Sequence, residues 1–186
     1  MRPALFLDRD GVINVDHGYV GRIEDFSFIV GIFELVRNAR RLGFVPVVVT
    51  NQSGIARGFY TEADFESLTA WMLQRFEAEG AAIERVYYCP NLEQAPLAQY
   101  RRADPRRKPG PGMLLDAIAE LGLDASRSAM IGDKWSDALA ARAAGVPRVA
   151  LVGADPGAPP ENAPQAIRVA DLAAAAEWLA ALTRQK

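Results

Sequence analysis

Apolar residues in this chain gather in short runs that alternate with longer amphipathic stretches. Ala4–Leu7 (ALFL) is an unbroken apolar run of buried-strand length, and it stops at Asp8. Over 32–42 the period becomes helical, with Phe33, Val36 and Leu42 as apolar anchors and Gly43 as a stop signal. Residues 44–49 (FVPVVV) read as a second strand, its first half weakened by Pro46. A long amphipathic helix starts at Thr61, where Asp64 completes an approximate capping box, and Gly80 lies near its end. Phe65, Leu68, Trp71 and Met72 fall at helical spacing and read as core. Residues 83–88 are strand-like, Pro111 and Gly112 open a helix ending near Gly122, and 128–131 form a short strand. A helix over 135–144, a strand over 148–152, a Gly- and Pro-rich loop over 153–164 and an Ala-rich helix over 171–182 complete the chain. No segment repeats.

Alternating strands and helices predict an α/β fold: a Rossmann-like, doubly wound, mostly parallel sheet with helices on both faces, in a single domain over 1–186. Such sheets bind ligands at the carboxyl ends of their strands. Reading off the polar residues at those ends gives Asp8 and Asp10, then Thr50, Asn51, Gln52 and Ser53, then Cys89 and its loop, then Asp133 and Lys134.

Composition narrows the classes. The formal net charge of −2 over 186 residues gives no basic signature of a nucleic-acid binder. No apolar run approaches the roughly 20 residues of a membrane span, and the N-terminus enters a strand without a charged leader. Cys89, the one cysteine, forms no intrachain disulfide and fits a reducing compartment as a packed, inert thiol. The expectation is a cytoplasmic monomer without nucleic-acid or membrane partners. Only Lys108, Lys134 and Lys186 are lysines, against eighteen arginines, so a lysine inside a motif points to a need for a compact charge.

Carboxylates after two strands suggest a hard-cation site: Mg²⁺ takes oxygen ligands with one or two protein carboxylates, here Asp8 and Asp133. A single Asp after a strand is more often a solvated turn acid. Three of them, with a lysine and a hydroxyl at matching strand ends, point to phosphoryl chemistry. Asp8 is then a candidate nucleophile, Asp10 a general acid and base, and Thr50 and Lys108 the groups holding the phosphoryl oxygens. Gly11 and Gly54 would let backbone N–H groups approach the anion.

DRDGVIN, TNQSGIARG (50–58), RKPGPGM (107–113) and GDKWSD (132–137) resemble, in order and spacing, the four motifs of the haloacid dehalogenase (HAD) superfamily of phosphatases. More narrowly, DRDGVINVDHGYV, YYCP and RKPGPGMLL resemble its heptose 1,7-bisphosphate 7-phosphatases, within a histidinol-phosphatase-like subgroup. The resemblance implies a Mg²⁺-dependent phosphoric monoester hydrolase working through an aspartyl phosphate on a small sugar-phosphate substrate, in nucleotide-activated heptose and lipopolysaccharide synthesis. It implies Asp8, the Asp10 backbone carbonyl and Asp133 as metal ligands, with Asp137 supporting them. It further implies Asp16, His17, Gly18, Tyr19, Asn51, Gln52, Ser53, Arg107 and Lys134 as substrate contacts. With no large insertion between Asp8 and Thr50, no large cap domain is expected. The alternatives are a histidinol-phosphate phosphatase, whose cationic substrate would favour acids over Arg107, some other small phosphate-ester phosphatase and, from another class, a phospho-acceptor signalling domain, against which Asp10 counts.

The stretch 89–108 (CPNLEQAPLAQYRRADPRRK) has no periodicity and is long for a structureless loop, which favours a functional wall of the substrate site. Many members of the family tie this loop with zinc through Cys, His and two later Cys. Here only Cys89 matches, the other positions being Asn91, Asp104 and Arg106. Structural zinc needs a closed four-ligand set, so no zinc is expected. Packing and hydrogen bonds must order the loop, helped by Pro90, Pro96 and Pro105.

Overall fold

A computed structural model describes residues 1–153 and 156–184. Six strands, β1 (Ala4–Leu7), β2 (Val45–Asn51), β3 (Arg85–Cys89), β4 (Ala129–Gly132), β5 (Arg148–Val152) and β6 (Ile167–Val169), form one parallel sheet in the order β3-β2-β1-β4-β5-β6. Among the described residues, six α-helices accompany them: α1 (Ile32–Arg41), α2 (Ser53–Ala56), α3 (Glu62–Ala78), α4 (Gly112–Leu121), α5 (Trp135–Ala143) and α6 (Leu172–Arg184).

A parallel sheet covered on both faces needs strands that are apolar throughout. All four residues of β1 are buried, and they alternate between two cores. Leu5 and Leu7 join α1, α3 and α6 through Leu35, Val36, Leu68, Met72, Phe76, Leu172 and Leu179. Ala4 and Phe6 face α4 and α5, meeting Met113, Leu114, Ala138 and Ala141. This is the doubly wound arrangement that the periodicity predicts, and no large cap stands among the described residues. No helix among them is long and apolar enough to cross a membrane.

The details depart from the pattern in instructive places. Pro46 lies inside β2, paired with Leu5 of β1. Its carbonyl accepts from Glu84 N (2.9 Å), one residue before β3 begins, so the missing N–H falls where that ladder has not started. The strand runs on to Asn51, so Thr50 and Asn51 end it rather than follow it. Likewise Cys89 is the last residue of β3, fully buried, and not a rim residue. Three-residue β6 and four-residue α2 are too short for a period to repeat and show in the sequence. The Thr61–Asp64 capping box forms as expected. Residues 154 and 155 of the expected 153–164 loop lie outside the described residues.

The chain lays β1 to β3 on one side and β4 to β6 on the other. The order therefore reverses between β1 and β4, where helices diverge and leave a crevice at the carboxyl ends. Asp8 leaves β1 at that point and Asp133 leaves β4.

Candidate active site

A cavity of about 490 Å³ opens at this switch point, lined by Asp8, Asp10, Asp16, Gly18, Tyr19, Asn51, Ser53, Gly54, Tyr60, Arg107, Lys108, Lys134 and Ser136. That is the size range of small-molecule sites. Asp8 sits at its base, its side chain only 11% exposed. Its Oδ1 accepts from Arg9 N (2.7 Å) and pairs with Lys108 Nζ (2.9 Å). Burial pushes the Asp8 carboxyl up to about 7 despite Lys108, and Asp137, Asp133 and Asp10 add to the rise.

Lys108 comes from the end of the 89–108 loop yet is 3% exposed. Its ammonium has three donors and three partners: Asp8 Oδ1, Asp137 Oδ1 (2.6 Å) and the Val49 carbonyl (2.8 Å). Burial opposes the charge, but Asp137 and Asp8 outweigh it and raise the pKa. The Asn51 amide holds this lysine by its backbone, donating to Lys108 O (2.9 Å) and accepting from Lys108 N (3.0 Å). Asn51 therefore clamps the loop to β2 as well as facing the cavity.

Asp137, in the first turn of α5, is fully buried. Its Oδ2 accepts from the Asp133 and Lys134 backbone N–H groups (3.2 and 3.1 Å), which fixes the turn that presents Asp133. Asp133 is half-buried, and burial lifts it to about 6 even though Lys134 opposes the rise. Gly11 leaves the room Asp133 needs, since a Cβ there would overlap the Asp133 carboxylate, and its φ of 83° is left-handed. Oxygens of Asp8, Asp133 and Asp137 all lie within 4.8 Å of one another. Asp133 Oδ1 is buried without a hydrogen-bond partner among the described residues. Such an orphaned hard oxygen beside like charges fits a divalent cation, which would relieve both conditions.

Asp10 is held differently. Arg9, 1% exposed, reaches both its oxygens through Nη2 (2.8 and 3.0 Å). Asn14 Nδ2 donates to Oδ1 (3.1 Å) and Gln52 Nε2 to Oδ2 (3.0 Å). Arg9, Asn14, Tyr60 and Ser136 carry no site signal in the sequence: Arg9 and Asn14 stand inside the DRDGVIN motif, whose acids carry its chemistry, and nothing separates Tyr60 from the core aromatics by pattern alone.

Other expected site residues divide. Asp16, Gly18, Tyr19, Asn51, Ser53, Arg107 and Lys134 line the cavity. Lys134 is shared by Asp16 and Asp133 (3.4 Å each), which raise its pKa over the opposing effect of burial. Tyr19, a non-glycine residue at φ 57°, packs against Phe59 at the mouth (centroids 4.7 Å). Thr50 and Gln52 are buried behind the cavity wall and bonded to each other (2.8 Å). His17 is exposed and stands outside the lining. Gly11 N donates to Asn14 O (2.8 Å), so that N–H is already taken, whereas Gly54 lines the cavity and the space where its Cβ would stand holds the Tyr60 ring.

Of the 89–108 loop, Arg107 and Lys108 line the cavity, and bonds within the loop tie the rest. Leu92 N donates to Tyr100 O (3.1 Å), and Arg101 bonds the Ala95 and Pro96 carbonyls (2.7 and 2.9 Å). Arg101 is thus a loop brace, not a free cation. At the positions weighed above for zinc, the Asp104 carboxylate accepts from Asn91 and from Arg106 N (2.8 Å), and the Cys89 thiol lies beside it. Burial pushes that thiol up to about 11, which keeps it protonated.

Residues 105–175 match the HAD-hydrolase-like family. The chain is 50% identical over 151 residues to the D-glycero-beta-D-manno-heptose-1,7-bisphosphate 7-phosphatase of Vibrio cholerae serotype O1, covering 81% of each. It is also 50% identical over 150 residues to that of Escherichia coli K12, covering 81% of this chain and 78% of the relative. Among solved structures, the D,D-heptose 1,7-bisphosphate phosphatase of B. bronchiseptica, complexed with magnesium and phosphate, superposes with a TM-score of 0.82 at 27% identity, over 96% of this chain and 98% of that one.

Proposed function

The chain belongs to the heptose-1,7-bisphosphate 7-phosphatase family of HAD-like hydrolases, and from that premise we propose how its own residues hydrolyse the 7-phosphate. The observation that carries the reading is the Lys108 ammonium fixed between Asp8 and Asp137 at the base of the cavity. Asp8 Oδ1 is committed to Arg9 N and Lys108, so Oδ2 attacks phosphorus as the ester P–O bond breaks, giving an aspartyl phosphate. Asp10 gives its proton to the departing sugar oxygen, then takes one from the water that attacks the phosphorus of the intermediate, which breaks the Asp8 Oδ2–P bond and releases inorganic phosphate with Asp8 restored. Lys108, joined by the Thr50 hydroxyl once the substrate engages it, offsets charge on the phosphoryl oxygens.

Asp8, Asp133 and the Asp10 backbone carbonyl would hold Mg²⁺. When bound, the ion supplies charge neutralisation that lets an anionic nucleophile approach an anionic phosphoryl group. Asp137 positions both Lys108 and the Asp133 turn. Arg107 and Lys134, both lining the cavity, receive the second anionic group of the bisphosphate, with Asp16, Gly18, Tyr19 and Ser53 around the sugar. The reaction belongs to the cytoplasm, and a cavity completed by one chain suits a monomer.

Purified protein with Mg²⁺, given heptose 1,7-bisphosphate and histidinol phosphate in parallel, tests the reading through phosphate release. The bisphosphate is expected to have the higher kcat/KM, and Asp8→Asn to lose at least about a thousandfold of kcat. A higher kcat/KM for histidinol phosphate overturns the substrate, and retained activity in Asp8→Asn overturns the nucleophile.

A further inference from the structure

Tyr60 is 9% exposed, and its hydroxyl donates to Gln52 Oε1 at 2.6 Å. Gln52 Nε2 in turn donates to Asp10 Oδ2 (3.0 Å) and Thr50 Oγ1 (2.8 Å). A primary amide has one acceptor end and one donor end, and the two ends of Gln52 meet different partners. Its donor end faces a carboxylate, which only accepts, and a hydroxyl. Its acceptor end therefore needs a donor, and Tyr60 supplies it. With that hydroxyl missing, a rotated amide would bring Oε1 against the Asp10 carboxylate.

The place of the ring is built into the chain. A Cβ on Gly54 would overlap Cε1 of the ring, and a Cβ on Gly21 would overlap Cδ1. Neither glycine has a left-handed backbone. At these two positions the missing side chain makes room for Tyr60 and serves no turn. The Arg9 guanidinium, which grips Asp10, also lies near the hydroxyl, so two of the three side chains that hold Asp10 neighbour Tyr60. Burial pushes the phenol up to about 12, so it remains a donor across the working pH range.

We propose that Tyr60 is a positioning residue for this reaction: by fixing the Gln52 amide it aims the Asp10 carboxyl at the leaving oxygen and holds the Thr50 hydroxyl in register. The proposal rests on the acid role assigned to Asp10 above. Tyr60 touches no reacting atom; it acts through Gln52.

The chemistry provides a test that separates aim from mere folding. A sugar leaves as an alkoxide and needs the Asp10 proton, whereas p-nitrophenolate is a stable anion and leaves without one. kcat/KM covers the steps up to leaving-group departure. Tyr60→Phe is expected to lower kcat/KM about tenfold for the heptose bisphosphate, about 1.4 kcal/mol, through kcat and not KM. For p-nitrophenyl phosphate the loss is expected to stay below about twofold. In a Gln52→Leu background the same substitution is expected to cost nothing more. Equal losses on both substrates, or a full further loss in the Gln52→Leu background, overturn the proposal while the phosphatase reading stands. A wild-type chain without Asp8-dependent phosphatase activity overturns both.

Discussion

At the residue scale, the site is a charge-balance problem. Asp8, Asp10, Asp133 and Asp137 converge at strand ends, and each finds a different answer. Asp137 takes two backbone N–H groups and Lys108. Asp10 takes Arg9, Asn14 and Gln52. Asp8 shares Lys108, and Asp133 Oδ1 is left over for a cation. Removing one partner of a buried pair costs about 3–5 kcal/mol because it strands the other charge. Lys108→Met strands two, so urea unfolding is expected to show a loss of at least that size, eased when Asp137→Asn is added. A change under about 1 kcal/mol would mean that the pair is weakly coupled to folding. Asp8, Asp10, Thr50, Asp133 and Lys134 are legible as residue types at strand ends, and Lys108 and Asp137 through their motifs. Arg9 is not, because an arginine between two aspartates reads as an exposed turn residue, whereas here it is inside, beneath Phe65 and bonded to the Val20 carbonyl (2.7 Å).

At the element scale, the 89–108 loop replaces periodic structure with a polar hub. Burial acts to raise the Asp104 pKa, but the Arg106 N–H, the Asn91 amide and the Cys89 thiol together bring it below the usual 3.8. A depressed folded-state pKa stabilises above the unfolded value, and that contribution is lost as pH falls through the folded one. Asp104→Ala is therefore expected to lower the thermal midpoint at pH 7 by roughly 2–4 °C, for about 1 kcal/mol of lost hydrogen bonding. The difference from wild type should shrink below pH 4, and limited proteolysis at pH 7 should cut the variant first within 89–108. An equal difference at pH 7 and at pH 3 would show that Asp104 does not act through its charge. The sequence marks this stretch as a loop, and its residue types lead to the expectation of no zinc. That Asp104 gathers Asn91, Cys89 and Arg106 N depends on how the chain folds back, which no local pattern encodes.

At the scale of the whole molecule, metal binding and folding are linked. A ligand that binds only the folded chain stabilises it by about 2.7 kcal/mol at a hundredfold excess over Kd, roughly 5–10 °C for a chain this size. Adding Mg²⁺ to chelator-treated protein is expected to raise Tm on that order, and Asp133→Asn should abolish the rise without any reference to activity. An unchanged Tm in wild type would refute the metal site. The alternation of apolar runs and amphipathic stretches determined by itself the α/β class, the parallel sheet and the strand ends where chemistry collects, because burial on both faces demands those patterns. Four motifs in order determined the family. Only the tertiary structure decided that Arg9 and Tyr60 turn inward, that Gly21 and Gly54 are gaps for a ring, and that Asn51 clamps Lys108. The reason is physical: hydrophobic period is a local property of the chain, while the partner of a buried polar group is whichever group the packing of distant segments brings within hydrogen-bond reach.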